Sequence, residues 1–382
     1  MLKEILELSQ KTFHPYLDEA RRSGKKILGY FCSYVPEELI HAAGFVPYRM
    51  RAVENHGTVK SDVYFSSVNC SFVRQCFNKA LENEFPFLDG VIFMNSCDHL
   101  RRMYDNWMHS GHDPKFLYML SVPHKSDEIC VEEFTRELAV WKKNMEVSFG
   151  VTITDQALEN SIRLYNRQRD LISRIYNLRK NDSVPLKGGE FTGIMLAVTS
   201  LPVEVSIEML EKIVEEIKDR QVNRDSDIRI YLGSGYHEER ELLDLIEDSG
   251  AIIVGDNSCL GIMQFDRNVE EGTDSPLRAI ALRYLKRISC PRMVDDFRNR
   301  LNFMNEALKE FRVDAVILDK LEFCTLWSGI IYLYKKELEK AGVPMLKLSR
   351  ELNSGATGQI KTRVQALIEG VKNQKARAGH QG

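Results

Sequence analysis

The chain has 382 residues, is 43% hydrophobic and 28% charged, and carries a net charge of −3 at pH 7. That length exceeds what one core organises, so two domains are expected, and the near-neutral charge offers no basic footprint for nucleic acid. No apolar run reaches the ~18 residues of a membrane span, and charges interrupt the N-terminal stretch where a secretion signal is apolar, so a cytoplasmic protein is expected. Eight cysteines in such a chain are core residues, redox thiols or metal ligands rather than structural disulfides. No CxxC occurs to mark a zinc ribbon or a thioredoxin-type site.

In chain order, "MLKEILELSQKTFHPYLDEARR" (1–22) reads as one amphipathic helix, with Leu2, Ile5, Leu6 and Phe13 facing inward. "KKILGYFC" (25–32) reads as a strand, and "PEELIHAAG" (36–44) as a helix with Pro36 in its first turn and Gly44 as its stop. In "SSVNCSFVRQCFNKAL" (66–81) a loop enters a helix at Cys70, with Ser66, Ser67 and Asn69 offering capping oxygens and the helix running toward Glu84. "FLDGVIFMNSC" (87–97) and "KFLYMLSVP" (115–123) are further strands. A charged helical pattern over roughly 155–180, with Asp155 as N-cap, leads to a hinge-like break at "LKGGEF" (186–191).

The second half repeats the style. "FTGIMLAVTS" (191–200), "DIRIYLGSG" (227–235), "GAIIVGDNSC" (250–259), "VDAVILDK" (313–320) and "VPMLKLS" (343–349) read as strands separated by helices, and "NQKARAGHQG" (373–382) as a frayed tail. This alternation predicts an α/β protein of two Rossmann-like (flavodoxin-like) parallel-sheet domains with an N-terminal helix. The domains are drawn at 1–150 and 189–382, with a helical connector at 151–188. "LDGVIFMNSC" (88–97) echoes "VDAVILDKLEFC" (313–324), as two domains of similar build would.

Cys32, Cys97, Cys259 and Cys324 each fall just past a predicted strand, at the edge where open α/β sheets bind ligands. Any single one reads as packing, because free cysteine is among the most buried residue types. Four in equivalent places point to a site. Cys70, where a loop enters a helix, sits where the helix dipole favours a thiolate. Cys76, inside that helix, and Cys130 read as core. Three thiolates meeting in a cleft suit an iron–sulfur cluster better than zinc, whose structural sites take four closely spaced ligands.

With those residues placed, the chain resembles the 2-hydroxyacyl-CoA dehydratase family, which also holds benzoyl-CoA reductase subunits. The resemblance is carried by "GYFCSYVPEELIHAAGFVPYR" (29–49), "NCSFVRQ" (69–75), "LDGVIFMNSCDHLRRMYDNW" (88–107), "GAIIVGDNSCLG" (250–261), "VDAVILDKLEFC" (313–324) and "GATGQIKTRVQALIE" (355–369). It implies a [4Fe-4S] cluster held by Cys70, Cys97 and Cys324, with a non-cysteine fourth position. It also implies a homologous second subunit, an acyl-CoA substrate and an ATP-hydrolysing iron–sulfur activator. The activator's electron converts the thioester carbonyl to a ketyl radical, and elimination of water or reduction follows.

Ser33 matches a position where some relatives place a hydroxyl near the open iron; a bond to local backbone is the alternative. Glu37 or Glu38 is a candidate proton-transfer carboxylate, or a first-turn acid complementing the helix dipole. Asp98 and His99 are candidates for tuning the cluster or for a loop hydrogen bond. Arg101, Arg102 and Trp107 are candidates for a partner-facing surface or for a solvated helix face. "YLGSGYHEER" (231–240) offers a helix start to a CoA phosphate, and Gln359, Lys361 and Arg363 a contact to CoA or between domains. Relatives commonly carry an acid after the last strand, where this chain has Arg350, a difference that bears on substrate or partner surface. Cys32, Cys259 and Cys290 form a second possible trio. Six thiols would serve the homodimeric branch that resembles ATP-dependent reductases with a double-cubane [8Fe-9S] cluster. A non-catalytic scaffold subunit is the alternative of another class.

Overall fold

The computed structural model describes residues 1–54, 57–353 and 357–379. It is a mixed α/β structure, and among the described residues the strands form two four-stranded sheets, parallel throughout. The first sheet contains β1 (Ile27–Tyr30), β2 (Val46–Arg49), β3 (Gly90–Met94) and β4 (Phe116–Leu120), in the order β2-β1-β3-β4. The second contains β5 (Ile228–Ser234), β6 (Ala251–Asp256), β7 (Ala315–Leu321) and β8 (Met345–Arg350), in the order β6-β5-β7-β8. The winding is the same in both. β1, β3 and β6 are buried at every residue, as a parallel sheet covered on both faces requires. Each sheet reverses its winding between its first and third strands, which opens a crevice at the strands' C-terminal ends. The two halves of the sequence echo are β3 and β7, equivalent strands of the two sheets.

Six helices accompany the first sheet in sequence: α1 (Leu2–Ser9), α2 (Pro15–Arg22), α3 (Glu37–Ala42), α4 (Ser71–Leu81), α5 (Asp98–Ser110) and α6 (Glu128–Phe149). The long α7 (Asp155–Leu178) follows, then α8 (Gly188–Val198) and α9 (Val203–Ile217). Interleaved with the second sheet are α10 (Arg240–Asp248), α11 (Ile262–Phe265), α12 (Pro276–Lys286), α13 (Phe297–Glu310), α14 (Thr325–Lys340) and α15 (Thr357–Gly379). Among the described residues no helix is long and apolar enough to cross a membrane.

Several elements differ from the sequence expectation. The run 191–200 is the buried helix α8, not a strand, because a short apolar run lacks the periodicity that separates the two. "LKGGEF" is the start of that helix rather than a hinge: the Lys187 N–H donates to Glu190 Oε2 at 2.9 Å. A side chain on Gly188 would begin 2.6 Å from Ile253 Cβ, so the glycine lets α8 settle on β6. The N-terminal helix is two helices, and the break between them leaves Phe13 39% exposed against the ring of Phe87. The N-cap of α7 is Thr154, whose hydroxyl accepts from the Ala157 N–H at 3.1 Å, one residue before Asp155. The four-residue β2 has no counterpart in the sequence expectation, and α4 stops at Leu81 rather than near Glu84. The tail is helical to Gly379; its last three residues, 380–382, lie outside the described residues, as do 355 and 356 of the resemblance segment.

The halves are interlocked. Leu2, Ile5 and Leu8 of α1 share a cluster with α8, α9 and the second sheet. Ala279, Ile280, Tyr284 and Met293, from the segment after β6, pack with Ile92 and Met94 of β3 and with Trp141 of α6. That return crossing brings Cys290 alongside the first sheet.

Candidate functional site

The C-terminal edges of both sheets open onto one cavity of ≈ 130 Å³. Six of the eight cysteines, Cys32, Cys70, Cys97, Cys259, Cys290 and Cys324, line it. Cys32 follows β1, Cys97 follows β3, Cys259 follows β6 and Cys324 follows β7, so the parallel topology itself delivers four of them. Cys76 is fully buried in α4, and Cys130 lies on α6 against the first core. All eight thiols are free.

Cys70, Cys97 and Cys324 share a further feature: each is the N-cap of a helix, of α4, α5 and α14 respectively. Three helix N-termini therefore converge on the cavity, each thiol facing first-turn N–H groups that stabilise negative charge. Burial is the larger effect and pushes the three thiols up to about 11, against the pull of the N–H groups of Val73, Leu100 and Trp327. Cys70 feels the charge of Cys97, Cys97 that of Cys324, and Cys324 that of Cys70, which makes them mutual neighbours.

Cys32, Cys259 and Cys290 form a second mutual set. Cys259 feels Cys32, and Cys290 feels both. The sets adjoin, because Cys97 also feels Cys32 and Cys324 feels Cys259. Burial raises the Cys259 thiol and takes that of Cys290 up to about 12. Here the opposing pull comes from the guanidinium groups of Arg49 and Arg287 beside Cys259, and beside Cys290 from the Arg292 backbone N–H first and its guanidinium after it.

His99 ties the first trio together. Its Nε2 meets the Phe323 carbonyl at 2.9 Å and its Nδ1 the Asn69 side-chain amide at 3.1 Å. One imidazole two residues past Cys97 thus fastens the residues immediately before Cys70 and Cys324. Phe323 itself is held at φ +62, a left-handed conformation that a bulky residue rarely adopts. Asn69 serves this clamp rather than capping α4.

Ser33 lines the cavity, and its hydroxyl accepts from Arg287 Nη2 at 3.0 Å. Glu37 is buried one layer behind the wall: Tyr30 donates to its Oε1 at 2.5 Å and Gln264 to its Oε2 at 2.8 Å. Gln264 in turn accepts from Arg49, which does line the cavity. Burial raises the Glu37 carboxyl above the usual range. Glu38 is committed to Arg169 and to Tyr284, whose hydroxyl donates to it at 2.8 Å.

Other candidates fall outside the chamber. Trp107 is fully buried and so faces no partner, while Arg101 and Arg102 are exposed and ion-paired with Asp98 and Asp105. Arg350 is no surface residue: it grips Asp319 through Nε and Nη2 at 3.1 and 3.0 Å and also pairs with Glu239. Glu239 is the N-cap of α10, but its carboxylate turns to Arg350 and to the Asn353 N–H at 2.7 Å rather than to the first-turn N–H groups of the helix. Gln359 and Lys361 are exposed on α15, and Arg363 donates to the Lys347 carbonyl within its own half. The buried guanidinium groups of Arg49, Arg287 and Arg292 escape a reading of the sequence alone. Their signal lies in arginines interrupting the apolar "FVPYRM" (45–50) and flanking Cys290 in "KRISCPRM" (286–293).

Among the described residues no group of three or more His, Cys, Asp or Glu could hold a metal ion. The thiols instead line the walls of a chamber. The donor set is all sulfur, largely buried and backed by helix N-termini and guanidinium groups, which fits a multinuclear iron–sulfur group.

Fold and site together define a parallel α/β protein with two equivalent sheets facing a thiol-lined chamber. The chain belongs to the family described as "2-hydroxyglutaryl-CoA dehydratase, D-component", whose model matches residues 32–371. It is 24% identical to the lactoyl-CoA dehydratase subunit beta of Anaerotignum propionicum, over 96% of this chain and 97% of that protein. It is 24% identical to the (R)-phenyllactyl-CoA dehydratase beta subunit of Clostridium sporogenes, over 96% of each. It is also 26% identical to a benzoyl-CoA reductase subunit from Thauera aromatica, over 91% of each.

Proposed function

We propose that this chain is an iron–sulfur redox subunit whose two Rossmann-like halves clasp a cluster between them, and that the cluster is the double-cubane [8Fe-9S] form. The observation that carries this reading is the thiol wall: two adjoining trios, Cys70/Cys97/Cys324 and Cys32/Cys259/Cys290, on one chamber. When bound, such a group supplies single electrons at low potential. The chain's residues do the rest. Six thiolates hold the group, the N-termini of α4, α5 and α14 and the buried arginines offset its negative charge, and the largely apolar walls limit the water around it. The function is then that of a homodimeric, ATP-dependent reductase of small molecules, charged by an ATP-hydrolysing iron–sulfur activator docking on the Arg101/Arg102 face of α5.

The relatives' names favour a second reading: a single [4Fe-4S] cluster on Cys70, Cys97 and Cys324, in a subunit paired with a homologous one for dehydration or reduction of an acyl-CoA. There Ser33, whose hydroxyl lines the chamber, would face the group, and Glu37, its carboxyl raised by burial one layer behind the wall, would hold a proton near it. Alanine variants at the six cysteines separate the readings when iron and acid-labile sulfide are counted after anaerobic purification. Loss in all six supports the double cluster. Loss confined to Cys70, Cys97 and Cys324 supports the single one, full retention everywhere refutes the cysteine assignment, and wild-type protein that folds without iron–sulfur absorption supports the scaffold.

A further inference from the structure

The two ends of the chamber are furnished differently. Around Cys70, Cys97 and Cys324 the positive potential is that of helix N-termini, and the nearby Arg74 is already paired with Asp62 at 2.7 Å. Around Cys32, Cys259 and Cys290 stand three buried arginines, exposed by only 2 to 3%. Their partners are neutral. Arg49 Nη1 donates to the Cys259 carbonyl at 2.8 Å and to Gln264 Oε1 at 3.0 Å. Arg287 donates to Ser33 Oγ at 3.0 Å and to the Met263 carbonyl, and Arg292 to the carbonyls of Val122 and Pro123 at 2.8 and 2.9 Å. Among the described residues no carboxylate pairs with any of the three, and the Nε of each is buried without a partner.

A guanidinium cannot lose its proton to escape burial, and an uncompensated buried charge is strongly unfavourable. Carbonyl and hydroxyl oxygens orient it but do not neutralise it. Three such cations at one end of a thiol chamber therefore mark a place built for negative charge. Arg49 is the foremost: it alone of the three lines the cavity, and both Cys259 and Cys32 lie within its field.

The geometry points to Arg49 as the counter-charge of the Cys32/Cys259/Cys290 half, the residue that makes this half of the bound cluster the easier to reduce. The inference rests on the double-cluster reading. Each added electron increases negative charge, and a fixed cation beside one half lowers the energy of the reduced state there more than in the half backed by helix dipoles. Arg287 and Arg292 act behind Arg49, the first through Ser33 and the second by anchoring the Cys290 loop to the carbonyls after β4.

The test is a redox titration of the anaerobically purified holoprotein, followed by electron paramagnetic resonance, in wild type, Arg49→Gln, Arg49→Lys and Arg74→Gln. With iron content unchanged, Arg49→Gln should lower the midpoint of the first reduction step by at least a tenfold change in the reduced-to-oxidised ratio, about 59 mV for one electron. Arg49→Lys keeps the charge and should stay within that margin, as should Arg74→Gln, whose charge Asp62 already offsets. An unmoved midpoint in Arg49→Gln, or an equal fall in Arg49→Lys, overturns the assignment. Should Arg49→Gln not load iron, wild-type protein carrying ¹⁵N-arginine decides by pulsed resonance: a guanidinium nitrogen coupled to the singly reduced cluster supports it, and no coupling refutes it. About four irons per wild-type chain would instead remove the underlying reading.

Discussion

Replacing His99 with alanine tests whether the ligand loops of the first trio are held as one unit. The imidazole joins the Phe323 carbonyl at 2.9 Å to the Asn69 amide at 3.1 Å, and the residue is only 8% exposed. Two hydrogen bonds contribute ~1 kcal/mol each, and the part-buried Phe323 carbonyl left without a donor adds up to ~2 kcal/mol of cost. The variant should therefore open the loops around Cys70, Cys97 and Cys324 at an expense lower by ~2–4 kcal/mol. That corresponds to a ~30- to ~1,000-fold larger open population. The assay is the rate at which an excess of iron chelator strips metal from anaerobic holoprotein, beside urea unfolding of the same sample. Faster stripping is the predicted result, and His99→Gln, which restores a donor toward Phe323, should recover part of the loss. If His99→Ala releases iron at the wild-type rate, the clamp has no such role and the reasoning fails.

Other perturbations give sharp expectations. Gly261→Ala places a Cβ 1.8 Å from Asp256 Oδ1, which accepts from the Ser258 N–H and hydroxyl at 3.0 Å each, so the Cys259 turn must shift; a drop in melting temperature together with partial iron loss is expected. Burial raises the Glu247 carboxyl to about 7, although it accepts from the Gly188 and Ile253 N–H groups. The folded state then binds the proton more tightly than the unfolded one, so stability is greatest below about pH 4.5 for this group and falls as pH rises to about 7. Glu247→Gln should flatten that slope in unfolding measured from pH 5 to 8, removing up to ~3 kcal/mol of it. Cys76→Ala should destabilise the protein by ~1 kcal/mol through a small buried cavity yet retain full iron, and Cys130→Ala should retain iron as well; iron loss in either would move that thiol into the site.

Much of this arrangement is legible in the sequence because parallel sheets force it. Buried strands read as apolar runs, and the residue after each run lands at the ligand-binding edge, which is how Cys32, Cys97, Cys259 and Cys324 stand out. Cys70 announces itself by opening a helix. Long-range geometry is harder to read. Cys290 follows no strand and reaches the chamber only because the segment after β6 folds back onto the first half. Helix α8, buried at every residue but Glu190, shows no polar stripe, so its pattern matches a strand as well as a helix. Trp107 and Arg350 carry residue types common at interfaces, and only their tertiary surroundings, an aromatic cluster and a bidentate carboxylate, make them structural.

Whether one chamber gathers six thiolates around iron is tested most directly by counting iron and acid-labile sulfide per chain in wild-type protein purified without oxygen. The prediction is about eight irons with about as many sulfides, whereas protein that folds fully and carries neither would contradict it.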